Sequence, residues 1–301
     1  MTVSVQQIYA AVRPEIVGRE RELTGILAAI GAGRDVLLEG PPGIGKSTIL
    51  RAITRHYGIP LVLVEGNADL TPAKLIGYHN PAQVVRHGYR AEDFVPGPLP
   101  DAMQRGGFLY IEEFNRVPED TLNTLLTAMA EREITIPRVG TLKALPTFHL
   151  IASMNPFDNV GTARISISIY DRLCRLAMSY QSEEDERAIV RLRTGCELPR
   201  LVELAVAITR ATRVHPEARL GSSVRGAIDL VLVAQQLAAI RGVDLSADGG
   251  IEAVLAEAAN LALSSKISLH ETNERPPEEV IAEIIGHFAP GAAQANEATQ
   301  A

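Results

Sequence analysis

The sequence predicts an α/β domain with a parallel five-stranded sheet flanked by helices, followed by a smaller all-helical domain. Three observations carry this. Short apolar runs alternate with helical patterns as far as Met178, in βαβ order. A glycine-rich turn, Gly40 to Ser47, joins the first of those runs to a helix. From Ser182 onward the pattern changes, and periodic helices follow one another.

A chain of 301 residues suits one large domain and one smaller one. Apolar content of 46% and charged content of 22% are those of a soluble globular protein. The net charge of −7 argues against a general affinity for nucleic acid. Cys174 and Cys196 are the two cysteines, and they read as reduced thiols, not as a disulfide framework or a metal site. No apolar run is long enough to span a membrane, and MTVSVQQIYAAVRPE lacks a signal-peptide layout. The expected setting is cytoplasmic, with no membrane partner.

Residues 1–13 read as a short helix before Pro14. A second helix is expected within IVGRERELTGILAAIGAG, on the spacing of Ile16, Leu23, Ile26, Leu27 and Ile30. Val36 to Leu38 is the first buried strand, and Thr48 to Tyr57 continues as a helix. Leu61 to Val64 is the second strand. Residues 66–107 are rich in glycine and proline and too long for a plain connection, so they are a surface excursion, an insertion with its own structure or a functional loop. Phe108 to Ile111 is the third strand. Pro118 opens a helix whose stripe of Leu122, Leu125, Leu126 and Met129 reads as core. Residues 131–147 suit a β-hairpin around Val139-Gly140. Phe148 to Met154 is the fourth strand, and Arg172 to Met178 the fifth. The domain boundary is expected near Tyr180 to Ser182, giving an α/β domain over 1–181 and a helical domain over 182–288. The tail 289–301 has little to bury and is expected to be disordered.

Gly40-Pro41-Pro42-Gly43-Ile44-Gly45-Lys46-Ser47 fits the phosphate-binding pattern G-x-x-x-x-G-K-[ST] without a gap. Its glycines let successive backbone N–H groups curl round a phosphate, and the helix that follows aims its positive end at that anion. Lys46 can reach the β- and γ-phosphates of ATP, and the Ser47 hydroxyl can ligate Mg²⁺. Glu112 and Glu113 end an apolar strand. The first is assigned to the metal, and the second to the water that attacks the γ-phosphate. Asn155 ends the fourth strand; it reads equally as a group that senses the γ-phosphate and as a turn asparagine before Pro156. His79 and His87 lack a set of partner ligands and read as loop histidines.

Several blocks, in order, resemble the MoxR family of AAA+ ATPases. They are VGRE (Val17 to Glu20), GPPGIGKS, FVPGPL (Phe94 to Leu99), EEFNRVPEDTLNTLLTAMAERE (Glu112 to Glu133), NPFDNVGT with DRL (Asp171 to Leu173), and GSSVRG (Gly221 to Gly226). The match covers about three quarters of the chain, from Ile16 to Ala234. The resemblance implies an AAA+ module with a helical lid. It makes Asn155 the polar sensor and Arg172 the arginine finger that serves a neighbouring subunit, with Arg164 and Arg175 as the alternative fingers. Arg225 becomes the second sensor on the lid. Val17 and Gly18 would line the adenine pocket, and Thr48 would complete the phosphate loop.

Two positions depart from the family's pattern. Glu112 stands where Asp is usual, which moves the carboxylate by one methylene and bears on the rate of hydrolysis. Leu173 replaces the Phe that follows the finger. The family also carries an insertion and a hairpin that face the centre of a ring; residues 66–107 and 131–147 occupy those places, and the resemblance implies that Tyr78, His79 and their neighbours face a client or partner. The resemblance implies a homo-oligomeric ring, a hexamer by family habit, acting as a remodelling chaperone. Its expected partners are a protein with a von Willebrand factor A domain and a client metalloenzyme, such as a molybdenum-type oxidoreductase. The ATPase subunit of a magnesium or cobalt chelatase is the alternative. A nucleic-acid motor is a third reading, opposed by the acidic charge.

Overall fold

The computed structural model describes residues 4–156, 165–271 and 274–289. Arg164, most of NPFDNVGT, and the tail from residue 290 lie outside them. The chain divides into two compact units, Met1–Ser179 and Tyr180–Ala301.

In the first unit the strands are, in chain order, β1 (Asp35–Glu39), β2 (Leu61–Glu65), β3 (Gly77–His79), β4 (Phe94–Pro96), β5 (Phe108–Glu112), β6 (Glu133–Ile136), β7 (Gly140–Lys143), β8 (His149–Met154) and β9 (Leu173–Ala177). Five of them form one parallel sheet in the order β2-β5-β8-β1-β9. The three central strands are buried nearly throughout, while the edge strands β2 and β9 are partly exposed. Strands covered on both faces carry continuous apolar runs, which is why FLYI and HLIAS read so clearly. The registers place Glu39 beside Met154 and Ile111 beside Ala152. The C-terminal ends of β1, β5 and β8 therefore lie together, where ligands gather in open α/β sheets.

Helices cover the sheet. Lys46–Tyr57 packs Ile49, Leu50 and Ile53 inward and ends at the left-handed Gly58. Glu119–Glu131 places Leu122, Leu125, Ala128 and Met129 in the core, with Glu119 and Asp120 in its first turn. The helix expected from Ile16 starts only at Glu20 and runs to Gly31, because Gly18 turns the chain at a φ of 64°. Within residues 66–107, Pro98–Arg105 is a core helix with Leu99, Ala102 and Met103 buried. Its prolines sit in the first turn, where a missing N–H breaks no helical bond. Ahead of it, short helices Pro72–Ile76 and Pro81–His87 flank the antiparallel pair β3–β4. The pair β6–β7 forms a separate hairpin.

The second unit contains the helices Glu183–Thr194, Pro199–Ala211, Val224–Arg241, Glu252–Leu263 and Pro277–Phe288. The last was not read from the sequence. A short antiparallel pair, β10 (Ala218–Leu220) with β11 (Ser268–Leu269), joins them. Leu201, Ala205, Leu230, Val231, Leu255 and Ile281 anchor its core.

Candidate active site

The phosphate loop leaves β1 at the C-terminal edge of the sheet. Gly40 has no room for a side chain, since a Cβ there would lie 2.3 Å from the Met178 carbonyl oxygen. Its N–H donates to Met154 O at 3.1 Å, which fixes the start of the loop against the end of β8. Gly45 caps the following helix at a φ of 91°, a conformation glycine adopts without strain. Pro41 and Ile44 are buried, whereas Pro42 and Thr48 are exposed. Gly43 and Gly45, in the loop between those anchors, are half-buried. Lys46 Nζ lies across it and donates to Gly40 O at 2.6 Å and Pro41 O at 3.2 Å.

Behind the loop, Ser47 Oγ donates to Glu112 Oε1 at 2.5 Å. This contact joins the start of one helix to the end of a strand 65 residues away. Below it the buried Tyr110 hydroxyl lies 3.0 Å from Ser153 Oγ. Burial pushes this phenol up to about 12, against the pull of hydrogen bonds with Ser153 and Ser47. It stays a neutral donor and acceptor under the carboxylate. Ser47 and Glu112 supply hard oxygen donors at one point, the donor chemistry that suits Mg²⁺.

Glu113 follows in the left-handed region, with φ 50° and ψ 44°. A non-glycine residue there is strained by about 1–2 kcal/mol, and such strain gathers at functional positions. The turn swings its carboxylate off the line of β5 and sets it 2.9 Å from Arg116 Nη1, with both side chains partly exposed. Asn155 is half-buried and directly follows Met154, whose carbonyl holds the loop. Lys46, Ser47, Glu112, Glu113 and Asn155 therefore meet at one edge of the sheet.

The arginines divide differently. Arg172 precedes Leu173, the residue of β9 paired with Asp35 at the start of β1. It stands at the opposite edge from the phosphate loop, roughly 15 Å away at about 3.3 Å per strand residue. It is exposed and donates through Nη1 to Ser168 O at 2.8 Å. Arg175 lies within β9, and its Nε donates to the buried Glu39 at 2.6 Å. Arg164 is outside the described residues. Val17 is half-buried and Gly18 exposed, in the turn before the helix Glu20–Gly31. Arg225 is exposed in the first turn of Val224–Arg241.

One residue escaped the sequence reading. Arg19 is buried, and its guanidinium contacts Glu22 at 3.0 Å, Ile44 O at 3.0 Å and Ser179 O at 2.7 Å. It ties the phosphate loop to the exit from β9. Helical periodicity could not reveal it, because it precedes the helix; its only signal was its place in VGRE.

Away from the loop, β3–β4 and the tip of β6–β7 enclose a cavity of about 440 Å³ lined by Tyr78, His79, Tyr89, Phe94 and Arg138. His79 meets Tyr89 and Phe94 edge-on, and Arg138 stacks on Tyr89. His87 is exposed. Among the described residues no cluster of three His, Cys, Asp or Glu side chains could hold a metal. Nor is any described helix long and apolar enough to cross a membrane.

Known proteins resemble this chain in sequence and in fold. The AAA domain of the dynein-related subfamily matches residues 35–173. YeaC of Bacillus subtilis is 30% identical over 241 residues, covering 70% of this chain and 72% of its own. The chaperone MoxR1 of Mycobacterium tuberculosis is 28% identical over 265 residues, covering 76% and 67%. A crystal structure from Cytophaga hutchinsonii, assigned as an ATPase, superposes with a TM-score of 0.53 at 21% identity. It covers 94% of this chain and 93% of its own, a likeness of fold. With a nucleotide-binding loop, a carboxylate-tipped strand beside it and these relatives, the chain belongs to the MoxR-type AAA+ ATPases.

Proposed function

We propose that this ATPase is an ATP-driven remodelling chaperone. It works in the cytoplasm as a ring, six subunits by family habit, with a VWA-domain partner. Its client is a metalloenzyme, such as a molybdenum-type oxidoreductase, whose maturation or metal insertion it drives. The observation that carries the ATPase part is the meeting of Ser47 with Glu112, with Glu113 one residue beyond. The chaperone part is supported by the named relative MoxR1.

In this reading the loop N–H groups hold the phosphates, and Lys46 turns from its carbonyl partners to the β- and γ-oxygens. Ser47 and Glu112 hold Mg²⁺, which when bound offsets charge on the phosphate oxygens. Glu113 orients the attacking water and accepts its proton. Arg172 cannot reach the loop of its own subunit from the far edge of the sheet, which supports a role at a neighbour's site. Asn155 and Arg225 sense loss of the γ-phosphate, and Val17 and Gly18 flank the adenine. The pairs β3–β4 and β6–β7, carrying Tyr78 and His79, meet the client.

A trap variant tests the assignment. Glu113→Gln should bind ATP without turnover and retain partners in a pull-down from the native host. Recovery of a VWA-domain protein with a metalloenzyme supports the reading and names the client. Recovery of a large chelatase subunit, or of DNA, contradicts it.

A further inference from the structure

The edge of the sheet opposite the phosphate loop holds a cavity of about 540 Å³ walled by Arg34, Asp35, Arg132, Asp171, Arg172 and Cys174. Three guanidinium groups and two carboxylates share it. One pair is internally committed. Asp35 is buried, accepts from the Leu150 N–H at 2.8 Å, and lies 3.5 Å from Arg132 Nη1. Arg132 also donates to the Phe148 carbonyl, and its guanidinium lies 5.0 Å from the centre of the Phe148 ring.

Arg34 and Arg172 are not committed in this way. Both are exposed. The pairing of Asp35 with Leu173 means that these two arginines stand side by side just before β1 and β9. Adjacent strands stand about 4.8 Å apart. Arg172 bonds only a backbone carbonyl among the described residues, and the Arg34 side chain bonds none of them. Asp171, exposed between them in sequence space, forms no ion pair with either among the described residues. Like charges at neighbouring strand positions repel, so an anion that sits between them is bound at a favourable point.

We propose that Arg34 is a second cation of the half-site this edge offers to another copy of the chain. Together with Arg172 it binds the terminal phosphate oxygens of the nucleotide held in that copy's loop. The proposal rests on the reading of Arg172 given above and extends it. Charge in phosphoryl transfer spreads over three equatorial oxygens, and two guanidinium groups can share it where one leaves oxygens unmatched. Arg132, pinned by Asp35 and Phe148, forms the fixed back of the cavity.

The test uses the full chain with Arg34→Ala, Arg34→Lys, Arg172→Ala and Lys46→Ala. Arg34→Ala is expected to lower kcat by about tenfold to a hundredfold. Its affinity for a fluorescent ATP analogue, measured at a dilution that keeps subunits apart, should stay unchanged, because the loop of its own subunit lies at the other edge. Adding Lys46→Ala subunits, which lack a working loop but carry Arg34, should restore hydrolysis at the loops of Arg34→Ala subunits. Arg34→Lys should keep a larger share of the activity than Arg34→Ala. A kcat within about twofold of the parent for Arg34→Ala overturns the proposal. So does a loss that Lys46→Ala subunits fail to restore although they rescue Arg172→Ala; the shared site then stands without Arg34. Failure to rescue either variant removes the shared site itself, and Arg34's role falls with it.

Discussion

The Ser47 hydroxyl and the Glu112 carboxylate meet at 2.5 Å, one on the first turn of a helix and the other on the last residue of β5. Family members usually place the shorter Asp at this strand end. Here Glu112 places its carboxylate on the hydroxyl itself. Substituting either partner separates two effects, because neither touches the loop N–H groups that hold phosphate. Ser47→Ala and Glu112→Gln are each expected to lower kcat on the order of a hundredfold or more, with a matching rise in the Mg²⁺ needed for half activity. Binding of a nucleotide without Mg²⁺ should change little. Steady-state rates across a Mg²⁺ series check this, and an unchanged Mg²⁺ requirement in Glu112→Gln would count against the assignment.

Glu113 sits apart from that pair, turned away by its left-handed backbone and facing Arg116. In the proposed mechanism its carboxylate is the proton acceptor for the attacking water. Glu113→Gln should reduce hydrolysis by about 10²- to 10⁴-fold and leave ATP affinity within a few fold. Single-turnover hydrolysis and equilibrium binding, measured on one preparation, separate these. Weakened binding with retained turnover contradicts the role.

Arg19 acts on the loop from beneath. Its removal leaves the buried Glu22 carboxylate without its partner and frees the carbonyls of Ile44 and Ser179. Arg19→Met keeps the bulk and removes the charge, and is expected to cost about 3–5 kcal/mol of stability. Nucleotide binding should weaken with it as the loop loosens. Urea unfolding gives the first quantity and fluorescent nucleotide titration the second. A variant as stable as the parent refutes the tie.

Asp35 and His149 form a buried pair, 3.9 Å apart, with opposed proton linkage. Burial raises Asp35 from 3.8 to about 6, partly offset by the Leu150 N–H and Arg132. Burial, with Arg132 adding to it, lowers His149 from 6.5 to about 4. The contribution of Asp35 is therefore full below its unfolded value and is lost as the pH rises through 6. That of His149 is full above 6.5 and is lost as the pH falls toward 4. The two slopes oppose each other across the same window. Asp35→Asn removes the first, so its stability relative to the parent should rise by about 3 kcal/mol between pH 4 and 6.5. Denaturant midpoints at several pH values check the sign. A relative stability that falls over this range would contradict it.

The sheet was legible because its central strands are covered on both faces, which writes FLYI and HLIAS into the sequence as unbroken apolar runs. The phosphate loop was legible because its chemistry demands fixed residue types at fixed spacing. Helix Pro98–Arg105 was hidden in a segment whose prolines and glycines mark turns almost everywhere else. Pro277–Phe288 carries a plain pattern in Val280, Ile281, Ile284 and Ile285 and went unread. Arg19 reaches carbonyls 25 and 160 residues away, and no local pattern encodes such contacts. The neighbourhood of Arg34 and Arg172 depends on strand register across 138 positions of sequence, and only the fold supplies that. Arg175 was an alternative finger by the family resemblance; in the fold its guanidinium pairs with Glu39.

In the proposed mechanism the site is completed between subunits, with the loop at one edge of the sheet and Arg172 at the other. The most direct test is ATPase activity per subunit, measured across a dilution series for the parent and for Arg172→Ala. Parental activity should rise steeply through the assembly range. Arg172→Ala should assemble and bind ATP normally but turn over about 10³-fold more slowly or less. Activity per subunit that stays constant on dilution, together with full turnover by Arg172→Ala, would contradict it.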